Sequence, residues 1–302
     1  MTDSDRFDPL RNLQQMAALI ADSSGVSPEE TERRLLQEYA HPGRAVAEDF
    51  AARAAPRYQP GPALDAFYGS TDAFLYELAV WNRNRMKQSM RKWIAAHMGR
   101  FASALGKPSL DILSIGDGMG FDCLYWSRQG HKVTYFELPG LGPKFATRLF
   151  QGAGATIPML TDPAAIPMES FDALTCLDVL EHVPDVPAMI KTLAGYLRPG
   201  GVLYVSAPYF LILPWYPTHL RQNRRFSGSL TPYRHAGFKL VGGRPGWDPI
   251  VLQKPGGSAP MGSALSRAVV RTGGVLWLPG RVAAWPYAPL HWVRKWNNRA
   301  FK

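Results

Sequence analysis

Residues 106–253 alternate short apolar runs with stretches of helical pattern, and this alternation constrains the fold more than any other feature. The apolar runs lie near 110–115, 132–137, 156–160, 171–177 and 201–207. The helical stretches fit near 119–129, 143–152 and 184–197. Such alternation is typical of βαβ units, whose strands form a parallel sheet. With a final pair of strands near 238–242 and 248–253, the sequence predicts a doubly wound, mostly parallel, seven-stranded α/β sheet.

Residues 1–105 have the pattern of a helical region on the substrate side of that sheet. Positions 27–30 read Ser-Pro-Glu-Glu, which supplies an N-cap serine, a proline in the first turn and an acidic third position. A helix should therefore begin there and end at the His-Pro-Gly sequence of 41–43. A second helix fits about 45–55, and one long helix is predicted from just after Ser70 towards Leu105.

Residues 254–302 form a basic, tryptophan-rich extension without a clear period, so we do not expect a separate domain. The extension holds eight Lys and Arg and no Asp or Glu, and most of the net charge of +10 therefore belongs to it. Its tryptophans are Trp277, Trp285, Trp292 and Trp296. A strap packed on the protein or on a second subunit is slightly favoured, because prolines interrupt any amphipathic helix. Peripheral contact with an anionic membrane stays open as the alternative.

Several classes of protein are disfavoured by what the sequence lacks. Cys123 and Cys176 do not form a C-x-x-C pair, so we expect core packing and neither a disulfide framework nor a metal site. No pattern typical of a nucleic-acid-binding module occurs. The first residues lack a secretory signal, and no long uncharged apolar run is present. We expect a cytoplasmic protein, with contact at the inner face of a membrane and homo-oligomer formation left open.

A glycine-rich turn after the first strand is the strongest candidate for a ligand site. Gly116, Gly118 and Gly120 let a ligand approach the backbone where a helix begins. Glu137 ends the second strand 17 residues later, and an acid there can bind ribose hydroxyls. The spacing is G-x-G-x-G, whereas dinucleotide sites read G-x-G-x-x-G. The pattern therefore favours a nucleoside ligand without a pyrophosphate.

The order of these motifs resembles that of the class I methyltransferases that use S-adenosyl-L-methionine. Residues 112–120 look like the motif around the methionine part of the cofactor, and Glu137 matches the ribose-binding acid. Asp162 matches the acid near the adenine, and residues 177–185 are similar to the segment beside the cofactor. The resemblance implies that S-adenosylmethionine is the cofactor and that eight residues hold it: Gly116, Asp117, Gly118, Gly120, Glu137, Leu138, Asp162 and Asp178.

The sequence departs from this family at Ser114, where members usually carry an acid two residues before the first glycine. That acid commonly orients the glycine loop or the amino group of the cofactor. Asp117 within the loop is a candidate to replace it. The departure keeps open a catalytically silent module that binds S-adenosylmethionine and acts through protein or membrane contact.

Candidate catalytic residues come from the seven histidines. Methyl transfer depends chiefly on positioning, and a base is needed when the acceptor must lose a proton. His219 follows the fifth strand, where the family's substrate-facing segments lie, and His182 lies beside the cofactor segment. For both histidines the alternative to a catalytic role is a purely structural one. The nearby aromatic residues predicted as a wall for the acceptor are Tyr209, Trp215 and Tyr216.

The resemblance predicts an enzyme that methylates an oxygen or nitrogen atom of a small-molecule acceptor. A lipophilic or sugar-linked acceptor fits this expectation. A macromolecular acceptor, with the basic extension as its docking surface, and the silent module are the alternatives.

Overall fold

Seven strands form one sheet in the computed structural model, which describes residues 7–257 and 262–283. They are β1 (Asp111–Ile115), β2 (Lys132–Phe136), β3 (Met159–Leu160), β4 (Phe171–Leu177), β5 (Leu197–Ser206), β6 (Lys239–Gly243) and β7 (Ile250–Gln253). Their order is β3-β2-β1-β4-β5-β7-β6. β1 to β5 are parallel, whereas β7 runs antiparallel to both of its neighbours. The predicted doubly wound, mostly parallel sheet is confirmed.

Alternate residues along each strand pack on opposite faces of the sheet, as the two-residue period of a strand requires. Ile112 of β1 belongs to a core that includes Met90 and Ile94 of the N-terminal helices. Leu113 belongs to the core on the other face, together with Cys176. The N-terminal helices therefore share a hydrophobic core with the sheet. Both cysteines are buried, as expected.

Among the described residues, six α-helices precede the sheet: α1 (Leu13–Ser24), α2 (Pro28–Ala40), α3 (Arg44–Ala52), α4 (Pro62–Ser70), α5 (Ala73–Arg83) and α6 (Arg85–Ala104). The helices that follow are α7 (Phe121–Arg128), α8 (Leu141–Gly152), α9 (Val186–Tyr196), α10 (Thr231–His235) and α11 (Ala264–Val275). The predicted start of α2 is confirmed, because the Ser27 side chain accepts a hydrogen bond from the Glu30 N–H at 3.3 Å. No helix in the described ranges has the length and apolar character needed to cross a bilayer.

The single long helix predicted between Ser70 and Leu105 is wrong. The chain breaks at Asn84, which has extended backbone angles (φ −60°, ψ 139°) between α5 and α6. The Asn84 side chain accepts a hydrogen bond from the Met86 N–H at 2.8 Å and so caps the start of α6. Asparagine competes for backbone groups in this way, which favours it at helix ends over helix interiors.

The C-terminal extension has no clear period in the sequence, yet the part that the structure describes contains a helix, α11. Ser263 caps α11 by accepting a hydrogen bond from the Ser266 N–H at 3.1 Å. Gly273 and Gly274 obscure the helical pattern in the sequence, yet they let α11 pack closely. A Cβ at Gly273 would lie 1.7 Å from the Pro245 carbonyl oxygen. Trp285, Trp292 and Trp296 lie outside the described residues.

Candidate active site

A cavity of about 440 Å³ lies at the carboxyl ends of β1, β2 and β4. Three parts of the chain form its walls. The first is the set of loops that follow these strands, the second is α3 to α5, and the third is the segment 208–219 after β5. In open α/β sheets a ligand binds beyond the carboxyl ends of the strands, which is where this cavity lies.

The glycine loop contributes its backbone to the cavity wall at Gly116 and Gly118. Both residues have positive φ, +73° and +64°, a conformation that side chains rarely adopt. A Cβ at Gly116 would lie 2.3 Å from a methyl group of Val179, and one at Gly118 would lie 2.6 Å from Leu78. The loop can therefore make this close approach only without side chains at these positions.

Glu137 lies against the glycine loop at the end of β2. Its carboxylate accepts hydrogen bonds from the Gly118 N–H at 2.9 Å and from the Leu138 N–H at 3.0 Å. Burial raises the pKa of Glu137 to about 7, against the opposing effect of these two backbone donors. Glu137 and Leu138 both line the cavity. The carboxylate is thus held where a cofactor's hydroxyl groups could donate to it.

Asp178 lines the same cavity, directly after β4. Its backbone is left-handed, with φ +59°, which aspartate tolerates better than most residues. One carboxylate oxygen accepts a hydrogen bond from the Trp81 indole at 3.0 Å, and the other accepts one from the Ser206 hydroxyl at 3.1 Å. The structure therefore brings five of the predicted cofactor residues together: Gly116, Gly118, Glu137, Leu138 and Asp178.

The other three predicted cofactor residues do not line the cavity. The Asp117 carboxylate accepts hydrogen bonds from the N–H groups of Asp122 at 3.1 Å and Cys123 at 2.7 Å, so it orients the start of α7. Gly120 provides close packing, because a Cβ there would lie 2.7 Å from the Phe150 ring. Asp162 is exposed and caps a short turn. Direct cofactor contacts of these three residues are therefore not supported by the geometry.

Ser114 has its own partner in the core. Its hydroxyl oxygen accepts a hydrogen bond from the Thr175 hydroxyl at 2.8 Å, and both side chains are buried. The family's usual acid is thus replaced by a neutral pair between β1 and β4. The loop is oriented instead by the Asp117 contacts with α7.

Two histidines meet on the acceptor side of the cavity. The rings of His182 and His219 have centroids 4.8 Å apart at an angle of 86°, and Tyr216 stacks on His219 at 4.9 Å. Both histidines and Tyr216 line the cavity. The structure therefore joins the two predicted catalytic residues, which are far apart in the sequence.

His182 is held by contacts at Nδ1. The Tyr68 hydroxyl lies 2.8 Å from this atom, and the Thr218 carbonyl oxygen lies 3.2 Å from it. Burial lowers the pKa of His182 to about 4. The imidazole is therefore neutral near pH 7 and is a weak base.

Of the three aromatic residues predicted as a wall for the acceptor, Tyr216 lines the cavity and the other two do not. Tyr209 is buried in the core, and its hydroxyl lies 3.3 Å from that of Tyr233. Trp215 is half-buried, with its backbone and Cβ against the position of Gly43. The tight turns after β5 send these side chains in different directions, which sequence proximity does not reveal.

Sequence reasoning placed residues 1–105 on the substrate side, but it did not identify the side chains of α4 and α5 that line this wall. Tyr68, Phe74, Leu78 and Trp81 all line the cavity. Tyr68 and Phe74 stack with centroids 5.1 Å apart and nearly parallel rings. The signal was an apolar helical face at Phe74, Leu78 and Trp81. A helical face shows what is apolar, but it does not show whether protein or ligand covers it.

The sequence predicted no metal site, yet the structure brings together three side chains that are able to bind a metal ion. Ligand atoms of Glu181, His182 and His219 all lie within 4.8 Å of one another. A carboxylate with two imidazoles is a ligand set that zinc and iron accept. Because His219 comes from a distant segment, no short spacing motif could have revealed the group.

A buried ion cluster joins α6 to α7, the helix that follows the glycine loop. Asp122 of α7 contacts Lys87 at 2.9 Å and Arg91 at 2.7 Å, both on α6. Burial alone would raise the pKa of Asp122, but the two cations outweigh it and hold the pKa at about 2. All three side chains are almost fully buried. The cluster therefore fixes α6 relative to α7, whose first turn is also held by Asp117 of the glycine loop.

The fold and this cavity together define a class of protein, the class I methyltransferases, which use S-adenosylmethionine. The family model described as a methyltransferase domain matches residues 82–235, about half of the sequence, and the chain belongs to this family. The match includes α6, the glycine loop and both candidate histidines.

Curated relatives match a shorter part of the chain. The chain is 30% identical over 131 residues to the ubiquinone biosynthesis O-methyltransferase of Xanthomonas campestris pv. campestris, which covers 42% of this chain and 54% of the relative. It is 36% identical over 99 residues to the enzyme of that name from Xanthomonas axonopodis pv. citri, covering 32% and 41%. The chain thus spans about half the length of the curated relatives it matches.

Among solved structures, the CurJ carbon methyltransferase has a similar fold. The TM-score is 0.52 at 16% sequence identity, with 76% of this chain and 72% of that chain covered. At this identity the likeness supports the fold alone.

Proposed function

We propose that the chain transfers the methyl group of S-adenosylmethionine to a hydroxyl oxygen of a small molecule with an apolar body. The observation that carries this proposal is the shape of one cavity. Its cofactor side holds Gly116, Gly118 and Glu137, and its other side holds His182 and His219. The choice of oxygen follows the names of the matched relatives, which are O-methyltransferases.

The cofactor supplies an activated methyl group on a sulfonium when it is bound. In the proposed site Glu137 accepts hydrogen bonds from its ribose hydroxyls, and the backbone of Gly116 and Gly118 approaches its amino-acid part. Asp178 is held on the same side by the Trp81 indole and the Ser206 hydroxyl. These residues would hold the cofactor on one side of the cavity, with its methyl group available to an acceptor on the other side.

His219 is the proposed general base. The imidazole would take the proton of an acceptor hydroxyl as the oxygen receives the methyl group that the bound cofactor would supply. Tyr216 stacks on the ring and fixes its plane. His182, whose pKa is about 4, is a positioning residue that contacts the His219 ring edge and is itself held by Tyr68.

The apolar body of the acceptor would pack against α3 to α5. Val46, Leu64, Phe74 and Leu78 line this part of the cavity. Apolar lining with a few placed polar groups is typical of small-molecule sites. An acceptor with an alkyl or aromatic substituent next to its hydroxyl group fits this wall better than a compact sugar.

The test combines cofactor binding with transfer. Calorimetry should detect binding of S-adenosylhomocysteine, and labelled S-adenosylmethionine should methylate members of a panel of alkyl-substituted phenols and catechols. His219→Ala should lower kcat about 100-fold or more, as expected for loss of a general base, and should leave S-adenosylhomocysteine affinity nearly unchanged. His235→Ala is the matched control, because His235 is exposed at the end of α10.

Three results would contradict the proposal. Binding of S-adenosylhomocysteine without transfer to any acceptor would favour the silent module. Methyl transfer to alkyl amines alone would show that the acceptor atom is nitrogen and not oxygen. A rate that is lost in EDTA and restored by a divalent metal would assign His219 to a metal site with Glu181 and His182.

A further inference from the structure

An apolar stripe runs along the outer side of α11. Leu265, Val269 and Leu276 are four and seven positions apart, so they share one helical face, and they are 74%, 43% and 67% exposed. A different face of the helix holds Val270, Gly273 and Gly274, which are buried, and α11 contacts β6. The helix is therefore fixed to the edge of the sheet by one side and presents aliphatic side chains to solvent on another.

This stripe is unusual for the molecule. Nine large apolar side chains are exposed in the described residues, and five of them lie between Leu265 and Val282. Single exposed apolar side chains are common on soluble proteins, whereas a cluster marks an interaction surface. The concentration in 18 consecutive residues indicates that something covers this face.

The charge around the stripe has one sign. Residues 186–302 contain 16 Lys and Arg, and Asp248 is the one acidic residue among them. Arg267 and Arg271 lie on α11, while Arg224 and Arg281 are close to its carboxyl end. Within residues 7–257 and 262–283, none of these four arginines forms an ion pair with a carboxylate. Arg271 lies one helical turn before the exposed Val275, so uncompensated positive charge lies beside an aliphatic side chain at this flank of α11.

We propose that this face of α11 docks on an anionic lipid bilayer. Aliphatic side chains enter the boundary between headgroups and acyl chains, and Arg271 at the flank of this face contacts a lipid phosphate. A nucleic acid would satisfy the arginines but would give leucine and valine no apolar environment. A second copy of the chain would bring two surfaces of the same charge together, which disfavours it.

The docking face adjoins the wall of the candidate active site. Trp277, directly after Leu276, stacks on Phe210 with ring centroids 4.4 Å apart and nearly parallel planes. Phe210 belongs to the segment after β5 whose Tyr216 lines the cavity. Docking therefore places the bilayer beside the segment that covers the cavity. The inference itself does not depend on methyl transfer.

Sedimentation of the full chain with vesicles tests the apolar part of the surface. We expect binding to vesicles of phosphatidylcholine with phosphatidylglycerol and little binding to phosphatidylcholine alone. The double variant Leu265→Gln with Leu276→Gln should lower partitioning about tenfold, because two aliphatic side chains no longer enter the interface. The matched control is Leu36→Gln, another exposed helical leucine (48%), on α2. It should bind as the wild type does.

A second measurement tests the charge. Arg271→Gln should lower partitioning about fivefold, the usual effect of one basic residue near an anionic surface. Binding should also weaken as salt is raised from about 0.1 M to 1 M, because the Debye length falls from about 10 Å to about 3 Å. The rest of the basic extension is identical in all variants, so differences between them belong to α11.

Two results would overturn the proposal. One is vesicle binding that the double leucine variant leaves unchanged, since the stripe would then play no part. The other is self-association without lipid that Leu265→Gln with Leu276→Gln abolishes, since a second copy would then cover the face. Circular dichroism spectra equal to that of the wild type would show that the variants are folded, so that unfolding explains neither result.

Discussion

The two sides of the cavity are built in different ways. The cofactor side comes from one part of the chain, Gly116 to Asp178, and its key carboxylate is held by backbone N–H groups of Gly118 and Leu138. The acceptor side is assembled from α4, α5 and the segment after β5. Its central contact joins Tyr68 to His182, which are 114 positions apart.

This difference has a physical consequence. Backbone donors at strand ends are fixed by the sheet itself, so the cofactor side needs few particular side chains. The acceptor side depends on stacked rings and on side-chain hydrogen bonds between separate elements. Changes on the acceptor side should therefore alter what is bound there and leave cofactor binding nearly intact.

The largest effect is expected at the ion cluster between α6 and α7, which lies outside both sides of the cavity. Asp122→Asn leaves Lys87 and Arg91 without their buried counter-charge, which typically costs about 3–5 kcal/mol. Chemical denaturation measures this loss. Asp185→Asn, at an exposed N-cap where asparagine serves equally well, should change stability little. Equal effects of the two variants would show that the buried ion pairs add no more to stability than the exposed N-cap does.

The same cluster predicts a response to acid. The pKa of Asp122 is held at about 2, below its ordinary 3.8, so its contribution is present above pH 4 and is lost as the pH falls towards 2. The wild type should lose this stability in acid, and Asp122→Asn should lack that part of the loss. Parallel stability curves between pH 5 and pH 2 would contradict the assignment.

A smaller effect is expected on the cofactor side. Glu137→Ala should weaken S-adenosylhomocysteine binding by about 1–3 kcal/mol, through the loss of hydrogen bonds to a charged acceptor. Calorimetry measures it. The variant should bind an acceptor alone as the wild type does, because Glu137 lies at the glycine loop. An acceptor affinity that falls equally would show that the two sides are not separate.

The affinity for S-adenosylhomocysteine should also depend on pH. Burial raises the pKa of Glu137 to about 7, so below that pH the carboxyl is protonated and accepts fewer hydrogen bonds. Affinity should rise with pH up to about 7, by at most about tenfold per pH unit, and then level off. Glu137→Gln should remove the dependence. A flat wild-type profile between pH 5.5 and pH 8 would rule out this role of Glu137.

The smallest effect is expected on the acceptor side. Tyr68→Phe removes the hydroxyl beside His182 and should raise the KM for an acceptor about fivefold, the size of one hydrogen bond. S-adenosylhomocysteine affinity should not change. Tyr209→Phe is the control, because the Tyr209 hydroxyl faces Tyr233 in the core. A change in KM of the same size for Tyr209→Phe would show that Tyr209 belongs to the wall around the acceptor, as the sequence predicted.

The sequence by itself determined the sheet and the glycine loop. Strand alternation, the spacing from Gly120 to Glu137 and the cap at Ser27 depend on residues close together in the chain, where periodicity and turn chemistry act. These features could therefore be predicted from the sequence alone.

The tertiary structure alone decided which side chains reach the cavity. Asp117 turns to cap α7, Tyr209 enters the core, and His182 meets His219. It also decided that α11 forms on the sheet edge, where Gly273 fits against Pro245. Each of these outcomes depends on contacts between elements that are distant in sequence. The local pattern predicts a helix or a strand, but it does not show which face of that element another part of the chain will cover.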